Sequence, residues 1–175
     1  MRLIKRFISY YKYELPLTLL DIFAASGIAV LDLLFPMITR KMMKDFIPAL
    51  DVASIFRYGL VLLLMYFVVL ILHYIVDNYG HVAGMRIETR MRQDLYTHMQ
   101  SLDVEFFDNN RTGSLMSRIM NDLHEVSELA HHGPEDLLIS AVMLVGATIY
   151  LMRINVPLTL LIVAFVPLMI FFAIK

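Results

Sequence analysis

The apolar positions of this chain fall into four long runs, each bounded by charges. Residues 15–39 lie between Glu14 and Arg40, with Asp21 and Asp32 inside the run. Tyr58–Val76 holds 19 residues between Arg57 and Asp77 with no formal charge. Leu137–Met152 holds 16 between Asp136 and Arg153, and Ile154–Ile174 holds 21 between Arg153 and Lys175. A bilayer core about 30 Å thick is crossed by roughly 17–25 helical residues. The second and fourth runs qualify directly. The third is short, but Gly133-Pro134 ahead of it and a snorkelling Arg153 behind it can lengthen the helix. The alternative is that runs two to four are core helices of a soluble protein, but these seldom lack a polar face over such lengths.

The first run needs an energy balance, because it carries two acids. It contains 13 Leu, Ile, Phe or Val. These favour insertion by roughly 4–8 kcal/mol, against roughly 2.5–3.5 kcal/mol for each central Asp. Neither Asp is central, so insertion survives. Asp21 and Asp32 lie 11 residues apart, three helical turns, and so share a face with Ala25 and Ile28. That face is expected to turn toward protein or a wet cavity, which makes both acids candidate cavity residues.

Between the runs the pattern stays helical. Residues 2–12 place Leu3, Ile4, Phe7, Ile8 and Tyr11 on one face and Arg2, Lys5, Arg6, Ser9 and Lys12 on the others. This suits an amphipathic helix lying along a membrane surface, with Tyr10, Tyr11 and Tyr13 at headgroup level; a plain basic lead-in to a span is the alternative. Met91, Leu95, Met99, Leu102 and Phe106 carry a helical stripe beyond the second run. Leu115, Ile119, Leu123, Val126 and Ala130 make a second stripe leading back. Between them, Asn109-Asn110 and Thr112-Gly113 read as breakers and caps, with Gly113 permitting the chain to reverse. Arg118 and Asp122, at i and i+4, can brace the returning helix. The second and third spans are thus predicted to project as long stalks that meet at a short, exposed aromatic tip. From Arg57 to Leu102 the predicted helix is roughly 69 Å long, about twice the bilayer core. The fold class is all-α: a polytopic membrane protein with four long transmembrane helices, cytoplasmic extensions and an N-terminal amphipathic elbow. Its predicted spans lie near residues 15–44, 56–84, 133–153 and 156–175.

Composition narrows the class. Of 175 residues, 59% are hydrophobic and 18% charged, where a soluble domain averages about 45–50% and about 25%. A net charge of −1 argues against a nucleic-acid partner held by bulk charge. The absence of cysteine excludes disulfides, CxxC redox sites and Cys-ligated zinc. With four spans, ten Lys and Arg fall on the side of the N-terminus and the stalks and five on the other. The N-terminus and stalks are therefore expected in the cytoplasm of a multi-pass protein of the cell membrane. The first run is too long and too acidic for a cleavable signal peptide.

The run Phe106-Phe107-Asp108-Asn109-Asn110-Arg111-Thr112-Gly113-Ser114-Leu115-Met116-Ser117-Arg118, followed by Asn121-Asp122, resembles the first intracellular loop of ABC exporter membrane domains. That family has an aromatic pair, a polar turn, Thr-Gly, Ser-Arg and Asn-Asp in this order. Residues 1–12 resemble its elbow helix. Asp32 four residues before Pro36 resembles the acid-to-Pro spacing of its first span. His132-Gly133-Pro134-Glu135 resembles the entry to the third, and Asn155-Val156-Pro157-Leu158-Thr159-Leu160 the turn into the fourth. The resemblance implies the N-terminal part of a multidrug or lipid exporter-like half-transporter. Spans five and six, the second intracellular loop and the nucleotide-binding domain would lie outside these residues. It implies a coupling loop at Phe106, Phe107, Asp108, Asn109, Asn110, Arg111, Thr112 and Gly113. As partners it implies a lipid bilayer, a nucleotide-binding domain and a second half-transporter, as homo- or heterodimer.

No glycine is followed by lysine, so no GxxxxGK[ST] phosphate loop is present. ATP and Mg are expected on the nucleotide-binding domain, none in these residues, and catalysis only in the full-length ATP-hydrolysing transporter. His124, Glu128 and His131 share a helix face at metal-ligand spacing, though a solvated face is the plainer reading and no metal site is expected. Gly80-His81-Val82-Ala83-Gly84 permits close helix approach. His73 inside the second run reads as a hydrogen-bonded interior residue. The competing functional reading is a stand-alone four-span scaffold or receptor with a helical cytoplasmic hairpin.

Overall fold

The structure, a computed structural model, describes residues 2–174; the side chains of residues 2–4, 131 and 174 lie outside that description. Leu3 and Ile4 of the predicted amphipathic face therefore fall outside it, as does His131 of the candidate metal trio.

Eight α-helices and three π-helical turns follow one another, with no strand among the described residues. Helix α1 (Arg2–Tyr11) precedes α2 (Leu15–Lys41), whose end widens into the π-helical turn Met42–Phe46. α3 (Val52–Ile75), the turn Val76–Gly80 and α4 (His81–Gln100) form one unbroken rod of 49 residues. At about 1.5 Å per residue it is roughly 74 Å long. After the short α5 (Val104–Asn109), α6 (Thr112–Ser117), the turn Arg118–Asp122 and α7 (Leu123–Met152) form a second rod of 41 residues. α8 (Val156–Ile174) closes the described chain. Four of these rods are long and apolar enough to cross a bilayer.

Local chemistry explains the boundaries. Asp51 Oδ1 accepts from the Ser54 amide at 3.1 Å and starts α3; Asn155 Oδ1 accepts from the Leu158 amide at 3.1 Å and starts α8. Pro36, Pro134 and Pro167 sit inside α2, α7 and α8. Each lacks the N–H that would bond the preceding turn, a loss membrane helices tolerate when neighbours and hydroxyls take up the freed groups. Gly133-Pro134 is thus a point inside a continuous helix. Leu50, at φ 49° in the turn before α3, adopts the left-handed conformation that side chains rarely accept.

The chain packs as two compact units. The first comprises Met1–Ile28 with Tyr66–Leu138. Its buried apolar residues are small or β-branched for the most part: Ala24, Ala25 and Ile28 on α2, Val76 in the π-helical turn, Ala83 and Ile87 on α4, and Ala130 on α7. Small side chains let helix backbones approach, which is how helices associate where lipid removes the hydrophobic drive. Gly27 on α2 belongs to the same pattern, because a Cβ there would stand 3.0 Å from Leu72 Cδ1 on α3.

The second unit comprises Ala29–Met65 with Ile139–Lys175. Gly146 on α7 admits Leu33 of α2 so closely that a Cβ would lie 2.4 Å from Leu33 Cδ1. Lys41 Nζ stands 5.8 Å from the Phe46 ring centroid and 5.6 Å from that of Tyr58, and the rings are 4.9 Å apart. This clasp joins the end of α2 to α3. Thr159, buried on α8, donates its hydroxyl proton to the Asn155 carbonyl at 2.8 Å. Large side chains such as Leu63, Phe67, Leu161, Phe165 and Phe172 stay exposed along α3 and α8, an arrangement suited to lipid or further helices.

Candidate functional site

The first unit carries the polar chemistry. α4 and α7 run antiparallel, as three pairings in opposite order show. The rings of His81 and His132 are 5.7 Å apart, edge to face. Ser127 Oγ donates to the Gly84 carbonyl at 3.1 Å. His124 Nδ1 faces Glu88 Oε2 at 3.5 Å, and Glu88 also accepts from Arg92 one turn further along α4. Gly80 and Gly84 are both buried, and the Ser127–Gly84 bond shows α7 approaching the α4 backbone over the Gly80–Gly84 segment.

α1 is latched onto this pair. Tyr10 Oη donates to Asp94 Oδ2 at 2.7 Å, and Tyr11 Oη donates to the Ala130 carbonyl at 2.5 Å. Glu14, at the junction with α2, is buried and accepts from Arg86 at 3.2 Å and from Arg90 at 3.5 Å. Both guanidinium groups remain about half exposed, so Glu14 is the desolvated partner and its two charge-assisted bonds offset that loss. The Arg90 guanidinium also lies 4.6 Å from the Tyr13 ring centroid. Burial, followed by the bond to Asp94, pushes the Tyr10 hydroxyl above its ordinary value. Burial alone does so for Tyr11. Of the three tyrosines expected at headgroup level, Tyr10 and Tyr11 give their hydroxyls to protein groups, and Tyr13 is exposed beside Arg90. A groove of ≈ 390 Å³ remains beside α1, lined by Arg6, Phe7, Tyr10, Leu95, His98 and Val126.

At the far end of the stalks α5 carries the aromatic pair. Phe106 and Phe107 are half-buried and meet edge to face with centroids 5.5 Å apart; Val104 beside them is 75% exposed. Asn110 Nδ2 donates to the Phe106 carbonyl at 2.8 Å and ends α5. The turns are made by Asp103, Asn110 and Arg111 in extended conformations. Gly113 lies inside α6, no glycine has a positive φ, and a Cβ at Gly113 would meet nothing. The chain therefore does not reverse at Gly113; extended backbone, open to any residue, does that work. Asp108 and Asn109 are exposed on α5, and Arg111, Thr112 and Gly113 follow, exposed, at the start of α6. Residues 118–122 form a π-helical turn, and no Arg118–Asp122 ion pair occurs among the described residues.

The two acids of α2 have different surroundings. Asp21 is 4% exposed in the first unit, whereas Asp32 is exposed in the second. Of the His124, Glu128 and His131 trio, His124 faces Glu88 and Glu128 faces His132 at 3.6 Å. Among the described residues no group of three is placed to hold a metal ion. His73 lies exposed on α3, not in an interior.

A family model for the ABC transporter transmembrane region matches residues 18–175. The chain belongs to this family. It is 39% identical over 171 residues to the uncharacterized ABC transporter ATP-binding protein YwjA of Bacillus subtilis, an alignment covering 98% of this chain and 30% of that protein. It is 29% identical over 141 residues to the uncharacterized ABC transporter ATP-binding protein YfiC of the same organism, covering 81% and 23%. It is 30% identical over 125 residues to the ATP-dependent lipid A-core flippase of Idiomarina loihiensis, covering 71% and 21%. The chain thus spans less than a third of the length of these relatives.

As an ABC transporter transmembrane region, this multi-pass membrane chain bears its legible motif on the tip, while its structural polar groups lie elsewhere. Glu14, Arg86, Arg90, Asp94 and Ser127 escape notice in the sequence as partners, because their pairings cross 43 to 84 residues. One signal was present: Arg86 and Arg90 stand at i and i+4 on a face that a buried acid could bridge.

Proposed function

We propose that this ABC transporter transmembrane region forms the membrane-spanning substrate pathway of an ATP-driven exporter in the cell membrane. In this reading the N-terminus and the tip are cytoplasmic, following the excess of Lys and Arg on that side. The tip docks on a nucleotide-binding domain, which holds ATP and Mg, and a second half-transporter completes the pathway. The observation that carries the proposal is the pair of rods, 49 and 41 residues long, joined at a short helix that presents Phe106, Phe107 and the exposed Val104. Helices that only cross a bilayer need about 20 residues. The surplus length carries an apolar knob away from lipid, where burying a Phe in a partner is worth roughly 1.5–3 kcal/mol. Glu88–His124 and Ser127–Gly84 tie the stalks, so a push at the tip reaches the spans. Asp32, exposed on α2, is the better placed acid for a cationic substrate.

The test is Phe107→Ala in the full-length transporter. ATP binding stays intact, while stimulation of hydrolysis by substrate and export both fall. Normal export by a folded variant rejects the tip as the coupling element.

A further inference from the structure

Within the second unit a groove of ≈ 290 Å³ lies between α2 and α7. α2 lines it with Val30, Leu33, Leu34 and Met37, and α7 with Gly146, Ile149, Tyr150 and Arg153 beyond its end. Each set repeats at i, i+3, i+4 and i+7, which is one face of a helix. The two faces touch where Leu33 seats against Gly146. Polar side chains enter only at the last two α7 positions, Tyr150 and Arg153, where the span stops at Met152. The groove is therefore apolar along the span and polar at its mouth.

Neither polar group is spent. Arg153 is exposed and pairs with no acid among the described residues. Tyr150 is half-buried and gives its hydroxyl proton to no group among them. No acid lines the groove; Asp32, next to Leu33 in the chain, is not part of its walls. Val30 and Ile149 are 49% and 54% exposed, so the walls offer apolar surface at a depth where hydrocarbon, not water, is the solvent. A further helix would need small residues along the rim to come close, and the rim offers Val30, Leu34 and Ile149. A flexible acyl chain has no such need. We propose that this groove binds one anionic phospholipid, its acyl chain between α2 and α7 and its phosphate on Arg153. The guanidinium at the end of a span reaches headgroup level and bonds phosphate with charge assistance, and the Tyr150 phenol is a second donor. A zwitterionic lipid brings the same phosphate, but its ammonium group finds a cation at the mouth and no acid to receive it. The site depends on neither the tip, nor a nucleotide, nor which side of the membrane the mouth faces.

The experiment is native mass spectrometry of the full-length transporter in detergent, titrated with phosphatidylglycerol or with phosphatidylethanolamine bearing the same acyl chains. The readout is the apparent affinity of the lipid adducts. The wild type is expected to bind phosphatidylglycerol more tightly. Arg153→Gln weakens that binding about fivefold, the share of one cation beside an anionic headgroup, and removes the preference between the lipids. Arg153 is exposed, so the fold survives this change. Ile149→Phe, which fills the groove, weakens both lipids. Arg57→Gln, on α3 and outside the groove, leaves phosphatidylglycerol binding unchanged. Equal affinity of the wild type for the two lipids overturns the proposal, and so does phosphatidylglycerol binding that survives Arg153→Gln. An equal loss in Arg57→Gln also overturns it, since diffuse surface charge would then hold the lipid. Inorganic phosphate binding as tightly as phosphatidylglycerol does the same, because the acyl chain would contribute nothing. Should Ile149→Phe fail to fold, the two arginine variants still decide.

Discussion

Ser127 Oγ on α7 donates a buried hydrogen bond of 3.1 Å to the carbonyl oxygen of Gly84 on α4. The bond reaches the α4 backbone at a buried glycine, so it marks a close approach of the two stalks and sets their register there. Ser127→Ala is expected to cost about 1 kcal/mol. Gly84→Leu is expected to cost about 1–3 kcal/mol, because the helices must part. Thermal unfolding of the detergent-solubilised protein checks both, and equal small losses would show that the approach at Gly84 is not tight.

The latch on α1 responds to alkaline pH. Burial and the bond to Asp94 raise the Tyr10 hydroxyl above its ordinary value, and burial raises that of Tyr11. A group raised on folding stabilises the fold fully below its unfolded value, near 10, and loses that contribution as pH climbs through the folded value. Docking of α1 should therefore weaken only above about pH 10. An ultraviolet titration of tyrosinate checks this: Tyr10→Phe removes one tyrosine from the late part of the curve. An unchanged late phase would place the Tyr10 hydroxyl in water.

Gly146 faces Leu33 closely enough that a Cβ would stand 2.4 Å from Leu33 Cδ1. Gly146→Ala is expected to destabilise by about 1–3 kcal/mol through overpacking. Leu33→Ala in the same chain should return part of it, a positive coupling between neighbours. A double-mutant cycle read by thermal unfolding measures this, and strict additivity would mean that Leu33 simply swings aside.

Asp32 and Asp21 should separate in phenotype. Asp32 is exposed, so Asp32→Asn is expected to leave stability within about 0.5 kcal/mol. In the full-length transporter it should reduce uptake of cationic substrates into inverted vesicles more than that of neutral ones. Equal loss of both, with lowered stability, would assign Asp32 to structure.

Several features were legible because they are local. Apolar runs announce spans, since the bilayer reads length and composition and little else. The caps at Asp51 and Asn155, found only in the structure, are of the same local kind. The aromatic tip was legible as a break between two stripes, yet its mechanics were not. Gly113 looked like a reversal point, but the turn uses Asn110 and Arg111, whose extended conformations cost any residue little. The tyrosines after Ser9 looked interfacial because an aromatic beside a basic helix fits a headgroup layer equally well. Only the arrival of Asp94 and the Ala130 carbonyl claimed two of them.

By itself the sequence determined the class of molecule: four helices that need lipid, two of them too long to stop at its surface, and an exposed aromatic turn between them. These follow from hydropathy and helical period, which act over a few turns of chain. The tertiary structure decided which polar groups meet. Glu14 met Arg86 and Arg90, Ser127 met Gly84, and Asp21 came to share a cavity with Glu135. Those encounters depend on rotation and offset between helices far apart in the chain, set by small residues such as Ala25 and Ala83 that let backbones close up. A pattern of apolar and polar letters shows which face of a helix is buried, but the partner of each buried charge is settled only when the helices pack.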